Sequence, residues 1–462
     1  MIRIFRVFIP TSVLALLFSE VALIYFSLIL ASLLVNDLDP EFFLLEQEGL
    51  FRITIVVASV LVGLYFQDLY NNLRVRSRML LFQQFSMAIG IAFLIQALLT
   101  YVNPAYMLAR WLMIYGSLLM MLLLPAWRLA FLKLVFSALG QISMLFVGTS
   151  SVLAEIGERV ESRPELGLQI LGYLDDESGN ELPESIPLLG SIEELRAVTE
   201  KTKPDRIIIG MSERRARMPV YELLDLRLSG IHVEEASHLY ETTFGRVSTR
   251  DLRPSQLVFS SELGPAQNMV AVQALYSWVF ALIGLTLLSP VMLVVAVLVR
   301  LTSAGPILHR QTRVGLKDVP FTVFKFRSMR ADAEAHTGAV WAKKNDPRIT
   351  SIGKYLRLFR LDELPQFFNV LRGEMSFVGP RPERPEFVQA LSEKIPFYRQ
   401  RHFVKPGITG WAQINHKYGD TVEDTITKLE YDLYYIKHIS PSLDVYIIAN
   451  TLKTVILGRG AQ

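Results

Sequence analysis

Apolar residues form four long runs in the first third of the chain, roughly Phe8–Val35, Leu50–Tyr70, Leu81–Val102 and Tyr106–Leu132. Each can cross the apolar layer of a bilayer, which takes about 20 helical residues. The first run is too long for a cleavable signal and has no small-residue cleavage site ahead of a soluble domain, so it reads as a retained span. Arg3 and Arg6 precede it, the next loop DLDPEFFLLEQEG is acidic, NNLRVRSR carries three arginines, NPA has no basic residue, and Arg128 and Lys133 flank the end of the fourth run. Basic loops stay cytoplasmic, so both ends of a four-helix transmembrane bundle are expected there. No intramembrane charge marks a pathway in this reading, which argues against a transporter.

From about Ile142 to Ala236 the period shortens. ISMLFVG, LQILGYL, DRIIIGM and GIHVEEA read as strands, with SIEELRAVTEKT and VYELLDLRL as amphipathic helices between them. Alternating strands and helices imply a Rossmann-like parallel α/β domain. Gly148-Thr149-Ser150-Ser151 sits where a phosphate loop would sit, yet keeps only the first glycine of GxGxxG. The Asp175-Asp176 pair reads as a ribose contact or as an ordinary turn. A regulatory or dimerising module is the preferred reading. Tyr240 to Gly264 reads as a linker.

A fifth apolar run, Ser277–Arg300, has Ser289-Pro290 at its middle. Proline removes a helix hydrogen bond and clashes with the preceding turn. The flanks of the run are cytoplasmic on one side and rich in Arg300, Arg310, Arg313 and Lys317 on the other, so a straight span would put a basic segment outside. A re-entrant helix that breaks at Ser289-Pro290 keeps both ends on one side, with the serine hydroxyl serving a freed carbonyl.

Composition narrows the chemistry. The 462 residues suffice for two or three domains; 51% are hydrophobic, 20% are charged, and mean hydropathy is +0.33. A net charge of +3 supports nucleic-acid binding poorly and suits a membrane surface or an anionic small substrate. With no cysteine, disulfides, thiolate metal sites and cysteine nucleophiles are excluded.

The last 160 or so residues carry the candidate chemistry. In RLDELPQFFNVLRGEMSFVGPRP, Leu364, Phe367, Phe368 and Leu371 have the spacing of a buried helix face. Pro365 belongs in a first turn, Gly373 is a stop, and Asp362 is a candidate N-cap with Glu363 as a first-turn acid. The same helix start is an anion site, where Asp362 can serve as nucleophile and Glu363 as ligand to a hard divalent cation. HRQTRVG, FKFRSMR, DPRIT and GPRP contribute Arg310, Gln311, Arg313, Lys325, Arg327, Arg348 and Arg381, with Pro380 and Pro382 stiffening the backbone around Arg381. Arginine offers phosphate a bidentate fork.

The pieces LLSPVMLVVAVLVRLTSAGPILHRQTRVGL, FTVFKFRSMR, DPRITSIGKYLRLFRLDELPQFFNVLRGEMSFVGPRP, VKPGITGWAQIN and LEYDLYYIKHIS span nearly all of Leu275 to Gly458. In that order they resemble the bacterial polyprenyl-phosphate hexose-1-phosphate transferases, the long-form monotopic phosphoglycosyl transferases that initiate exopolysaccharide or O-antigen units. One departure is AVQALYSW, which lacks the basic residues the family often has before the re-entrant helix. The resemblance implies a mainly α catalytic domain, a UDP-sugar donor and an undecaprenyl phosphate acceptor. Asp362 would be the covalent nucleophile, with magnesium on Glu363. Lys325, Arg327 and Arg381 would hold phosphates or the nucleotide, and Gln413 and Asp432 match further site positions. A homodimer in the bacterial inner membrane, with the middle and catalytic domains cytoplasmic, is expected, and no nucleic acid. The expected domains are residues 1–136, 137–239, a linker 240–270, and 271–462. The competing reading is an inactive membrane scaffold of polysaccharide assembly.

Overall fold

The computed structural model describes residues 2–4, 7–35, 39–70, 77–138, 141–163, 166–176, 182–211, 218–250, 267–330, 332–333, 346–416 and 421–458. The chain divides into two compact units, residues 1–2 with 9–234, and residues 3–8 with 235–462.

In the first unit, four apolar helices span Thr11–Leu34, Gly49–Phe66, Arg78–Val102 and Arg110–Ala138. Each is long and apolar enough to cross a membrane. Their shared core includes Leu28, Ile53, Val60, Phe85 and Leu124. A Cβ on Gly63 would lie 2.2 Å from the carbonyl oxygen of Ala88, so glycine sets the close approach of the second and third helices. The acidic loop is shaped by the short helix Pro40–Leu45, capped by Asp39.

The expectation of uncharged spans is corrected. Glu20 lies fully buried inside the first helix, 3.3 Å from Nε of Arg128 in the fourth, and accepts 2.6 Å from the Tyr70 hydroxyl. Arg128 thus sits within the packed helices rather than at their flank. An intramembrane charge is costly alone and needs a partner. That partner lies over a hundred residues away in sequence, which hid the pairing.

The middle region folds as a five-stranded sheet in the order Leu188–Gly190, Leu168–Leu174, Ile142–Val147, Arg206–Ile209, His232–Glu235. The pairings among the first four strands are parallel. This is the doubly wound order, with its crevice at the reversal beside Ile142–Val147. The hydroxyls there are already engaged: Thr149 donates 2.6 Å to Asp175, and Ser150 caps Leu153 N–H.

The second unit opens with helix Ala236–Phe244, in which Tyr240 is fully buried. The linker expected from Tyr240 therefore does not begin there; residues 251–266 lie outside the described set. A single helix, Gln267–Thr302, follows with Pro290 inside it, and the Ser289 hydroxyl bonds the Thr286 carbonyl. Its 36 residues correspond to about 54 Å of ideal helix. Before the proline, Gln273 bonds Tyr435 and Asp444, and Ser277 bonds Ser376. Beyond it, Val295 and Val299 pack on Phe326 and Leu356. Both halves therefore rest on the same domain, while Leu275, Leu287, Leu293 and Leu301 stay exposed. The C-terminal helix Pro441–Ile456 buries Leu443 and Ile447 in the core and exposes Val445, Leu452 and Ile456.

Candidate active site

An antiparallel hairpin, Leu308–Val314 against Pro320–Phe326, forms one wall of the site, with His309 opposite Lys325 and Arg310 opposite Phe324. Helix Ser351–Leu358 ends at Arg360, whose left-handed φ of 53° turns the chain into a short 3₁₀ turn, Leu361–Glu363. Pro365 then precedes helix Gln366–Leu371. Asn369, fully buried, accepts from Phe324 N–H at 3.1 Å and donates to Thr322 O at 2.6 Å. That amide fixes the helix after the acid pair against the strand carrying Lys325.

Two expectations for this stretch are corrected. Asp362 is not an N-cap: the helix starts after Pro365, and the 3₁₀ turn has no side-chain cap. Phe368 faces outward and is half exposed, while Leu364, Phe367 and Leu371 pack in the core.

The two carboxylates are buried but differently surrounded. Glu363 Oε1 meets Lys325 Nζ at 2.9 Å and Arg381 Nη1 at 3.3 Å, and its Oε2 meets Arg360 Nη1 at 3.5 Å. Against the cost of burial, Lys325, Arg381 and Arg360 hold its pKa far below the usual carboxylate range. Asp362 has no ion pair or hydrogen bond among the described residues and faces the cavity. Burial and the neighbouring Glu363 push its pKa up to about 6, against the pull of Lys325, Arg357 and Arg381.

The GPRP segment is held at every residue. Gly379 N–H donates to Thr409 O, Pro380 O accepts from Gly407 N–H, Arg381 O accepts from Arg401, and Pro382 O accepts from Arg313. A Cβ on Gly407 would lie 2.1 Å from Gly379 N, so glycine is required where these segments cross. With its backbone fixed, the Arg381 side chain reaches Glu363.

One cavity of about 1030 Å³ gathers Asp362 with Arg310, Gln311, Arg313, Lys325, Arg327, Arg348, Arg381, Gln413 and Asp432. Twelve arginines and lysines line it against three carboxylates, which makes it a site for a multiply charged anion. Glu363, Pro380 and Pro382 are not among its lining residues. Sequence reasoning missed Arg330, Arg357, Arg360, Arg384, Arg401 and Lys428, which also line it.

Several expected phosphate ligands have other work. Arg327 donates to Ser303 O at 2.7 Å and to Val299 O, tying down the end of the long helix. Arg313 binds Gln311, Pro382 O and Glu383 and so braces GPRP. Arg348 pairs with Asp346 at 2.6 Å. Buried Asp432 pairs with Arg401 at 2.8 Å; burial raises its pKa to about 6 although Arg401 opposes the shift.

Magnesium at Glu363 is subject to the same geometry. No group of three His, Asp or Glu residues suited to a metal occurs among the described residues, and both Glu363 oxygens already face cations. Its carboxylate is thus already neutralised by Lys325, Arg381 and Arg360.

Comparison with known proteins gives the family. The family described as Bacterial sugar transferase matches residues 268–458, and a CoA-binding domain description matches residues 65–224. The UDP-N-acetylgalactosamine-undecaprenyl-phosphate N-acetylgalactosaminephosphotransferase of Aeromonas hydrophila is 44% identical over 235 residues, 51% of this chain and 55% of that protein. The UDP-glucose:undecaprenyl-phosphate glucose-1-phosphate transferase of Klebsiella pneumoniae is 36% identical over 321 residues, 68% of each chain. The exopolysaccharide production protein PSS of Rhizobium leguminosarum bv. phaseoli is 42% identical over 177 residues, 37% of this chain and 88% of that protein. The chain thus spans little more than half the length of the Aeromonas relative. It belongs to the bacterial sugar transferase family.

Proposed function

We propose that this protein transfers a sugar 1-phosphate from a UDP-sugar to undecaprenyl phosphate and releases UMP. The observation that carries this reading is the division of labour in the acid pair. Glu363 absorbs three cations, while Asp362 has no ion pair among the described residues and faces a cationic cavity. The Aeromonas and Klebsiella relatives are named for a UDP-sugar and undecaprenyl phosphate, which supports the same substrates here.

In the first step a carboxylate oxygen of Asp362 attacks the phosphorus bearing the sugar. A bond forms from that oxygen to phosphorus, and the bridging P–O bond breaks with its electrons leaving on UMP. An oxygen of the lipid phosphate then attacks the same phosphorus, and the Asp362 carboxylate leaves. Arg357, with Lys325, Arg381 and Arg360 beside it on Glu363, would supply the positive field for charge on the phosphoryl oxygens. Magnesium would neutralise further charge, and Glu363 would be its protein ligand only on releasing Lys325, Arg381 or Arg360.

The architecture suits one soluble and one membrane-borne substrate. We place the protein in the bacterial cytoplasmic membrane with the middle and catalytic domains on the cytoplasmic face, following the loop charges. We read Gln267–Thr302 as re-entrant, because residues on both sides of Pro290 are held by the same domain. Initiation of an exopolysaccharide or O-antigen unit is the corresponding cellular role.

The test is UMP release by the purified full-length protein given undecaprenyl phosphate, magnesium and a panel of UDP-sugars. Release with one sugar, lost in Asp362→Asn, supports the reading and names the donor. Folded protein that releases no UMP with any sugar points instead to the scaffold role.

A further inference from the structure

The segment between the two family matches, which end at 224 and begin at 268, is gripped by the wall of the cavity. Tyr240 donates 2.9 Å to Glu430 Oε2, Thr249 N–H donates 3.1 Å to Glu430 Oε1, and Val247 N–H donates to the Glu430 carbonyl. Arg246, itself buried, stacks over Phe244 and Tyr431 and lies 3.5 Å from Glu430. Glu241 accepts from Lys437 at 2.9 Å and pairs with His438. Gly245 O accepts 2.8 Å from the indole N–H of Trp411.

These contacts fall on one side of helix Val422–His438. Glu430, Tyr434, Lys437 and His438 are spaced i, i+4, i+7 and i+8, one stripe of the helix. Thr425, Lys428 and Asp432 form the opposite stripe and line the cavity. Trp411 stacks on Tyr434 at 5.6 Å and begins the short helix that presents Ala412 and Gln413 to the cavity. The segment thus holds from behind both elements that present Gln413 and Asp432.

The hairpin gives this wall its position in the cavity. Leu308 pairs with Phe326 beside the end of the membrane helix, whereas Arg313 lies at the other end, against Glu383. The five residue steps from one to the other span about 17 Å of strand. Lys325, and with it the acid pair, belongs to the membrane end; Glu383, which lines the cavity with Asp432, belongs to the far end. A donor whose reacting phosphate meets Asp362 would extend its nucleotide away from the membrane toward that far end.

We propose that Ala236–Thr249 is a strap that positions the far wall of the cavity for the donor's nucleotide, with Glu430 and Trp411 as the positioning residues through which it acts. The proposal rests on the donor assigned above. Neither Glu430 nor Trp411 needs to touch substrate.

The experiment uses full-length protein in lipid nanodiscs, with UMP as the binding probe and initial rates for donor and acceptor. Glu430→Ala should weaken UMP binding and raise the donor KM about tenfold, while kcat and the acceptor KM stay within about twofold, the pattern of lost uniform binding. Glu430→Gln, which keeps an acceptor for Tyr240 or Thr249, should recover most of the affinity. Trp411→Phe keeps one aromatic ring beside Tyr434 but removes the bond to Gly245 together with the second ring of the indole, and should shift UMP binding the same way by a smaller factor. Unchanged UMP affinity in folded Glu430→Ala and Trp411→Phe overturns the proposal, as does a parallel rise in both KM values. If Glu430→Ala does not fold, Trp411→Phe decides. Wild-type protein that binds UMP but transfers nothing would remove the proposed function and leave the strap's effect on UMP binding measurable.

Discussion

Lys325 Nζ lies 2.9 Å from Glu363 Oε1, while the adjacent Asp362 has no charged partner within bonding distance among the described residues. Two neighbouring carboxylates in one buried turn cannot both hold cations equally, and here Glu363 takes them. The consequence for Asp362 is a desolvated carboxylate with its pKa raised to about 6. It must lose its proton to attack phosphorus. UMP release should therefore be full above neutral pH and fall as pH drops through about 6, and Asp362→Asn should be inactive throughout. A pH–rate profile with no acid limb near that value would contradict the assignment.

The same shift makes Asp362 a liability to the fold. A carboxylate whose folded pKa exceeds its unfolded value of 3.8 adds stability below that unfolded value, and loses it as pH rises through about 6. Asp362→Asn should thus be more stable than wild type at pH 7.5, on the order of 1–3 kcal/mol. The gap should close as pH approaches 4. Thermal unfolding of both proteins across that window measures it, and a less stable Asp362→Asn at pH 7.5 would refute the argument.

Glu363→Gln should behave in the opposite sense. Lys325, Arg360 and Arg381 would lose their shared counter-charge, and breaking such a buried network costs about 3–5 kcal/mol. The variant should unfold at a lower temperature than wild type. Any residual activity should show its acid limb at lower pH, because Glu363 is one of the groups raising the Asp362 pKa. Melting temperatures and pH–rate profiles of the pair, taken side by side, test both signs.

Local pattern made the apolar helices, the α/β middle region and the acid pair legible, because helix and strand periods and short motifs are local. It did not reveal which cations close on which carboxylate. Arg360 and Arg401 enter the site through a left-handed turn and a 3₁₀ segment, neither of which has a hydrophobic period. Tyr240 resembled linker because its partner Glu430 lies 190 residues away. The pairing of Glu20 with Arg128 was invisible for the same reason. Asp362 fitted an N-cap pattern, but Arg360 and Pro365 place the helix start beyond it.

The topology of Gln267–Thr302 can be decided by labelling. Gln273 is anchored to Asp444 ahead of Pro290, and beyond it Arg327 holds the Val299 carbonyl. A helix crossing the bilayer outright would put these two anchors on opposite faces of the membrane, yet both bond to the same domain. Since the chain has no cysteine, Asn268→Cys and Thr302→Cys each supply a single thiol at an exposed position. A membrane-impermeant maleimide should label neither variant in intact spheroplasts and both once the cytoplasmic face is opened. Labelling of one from outside and the other from inside would overturn the re-entrant reading. The basic residues after Arg300 would then lie on the outer face, and the acid pair would be cut off from a cytoplasmic sugar nucleotide.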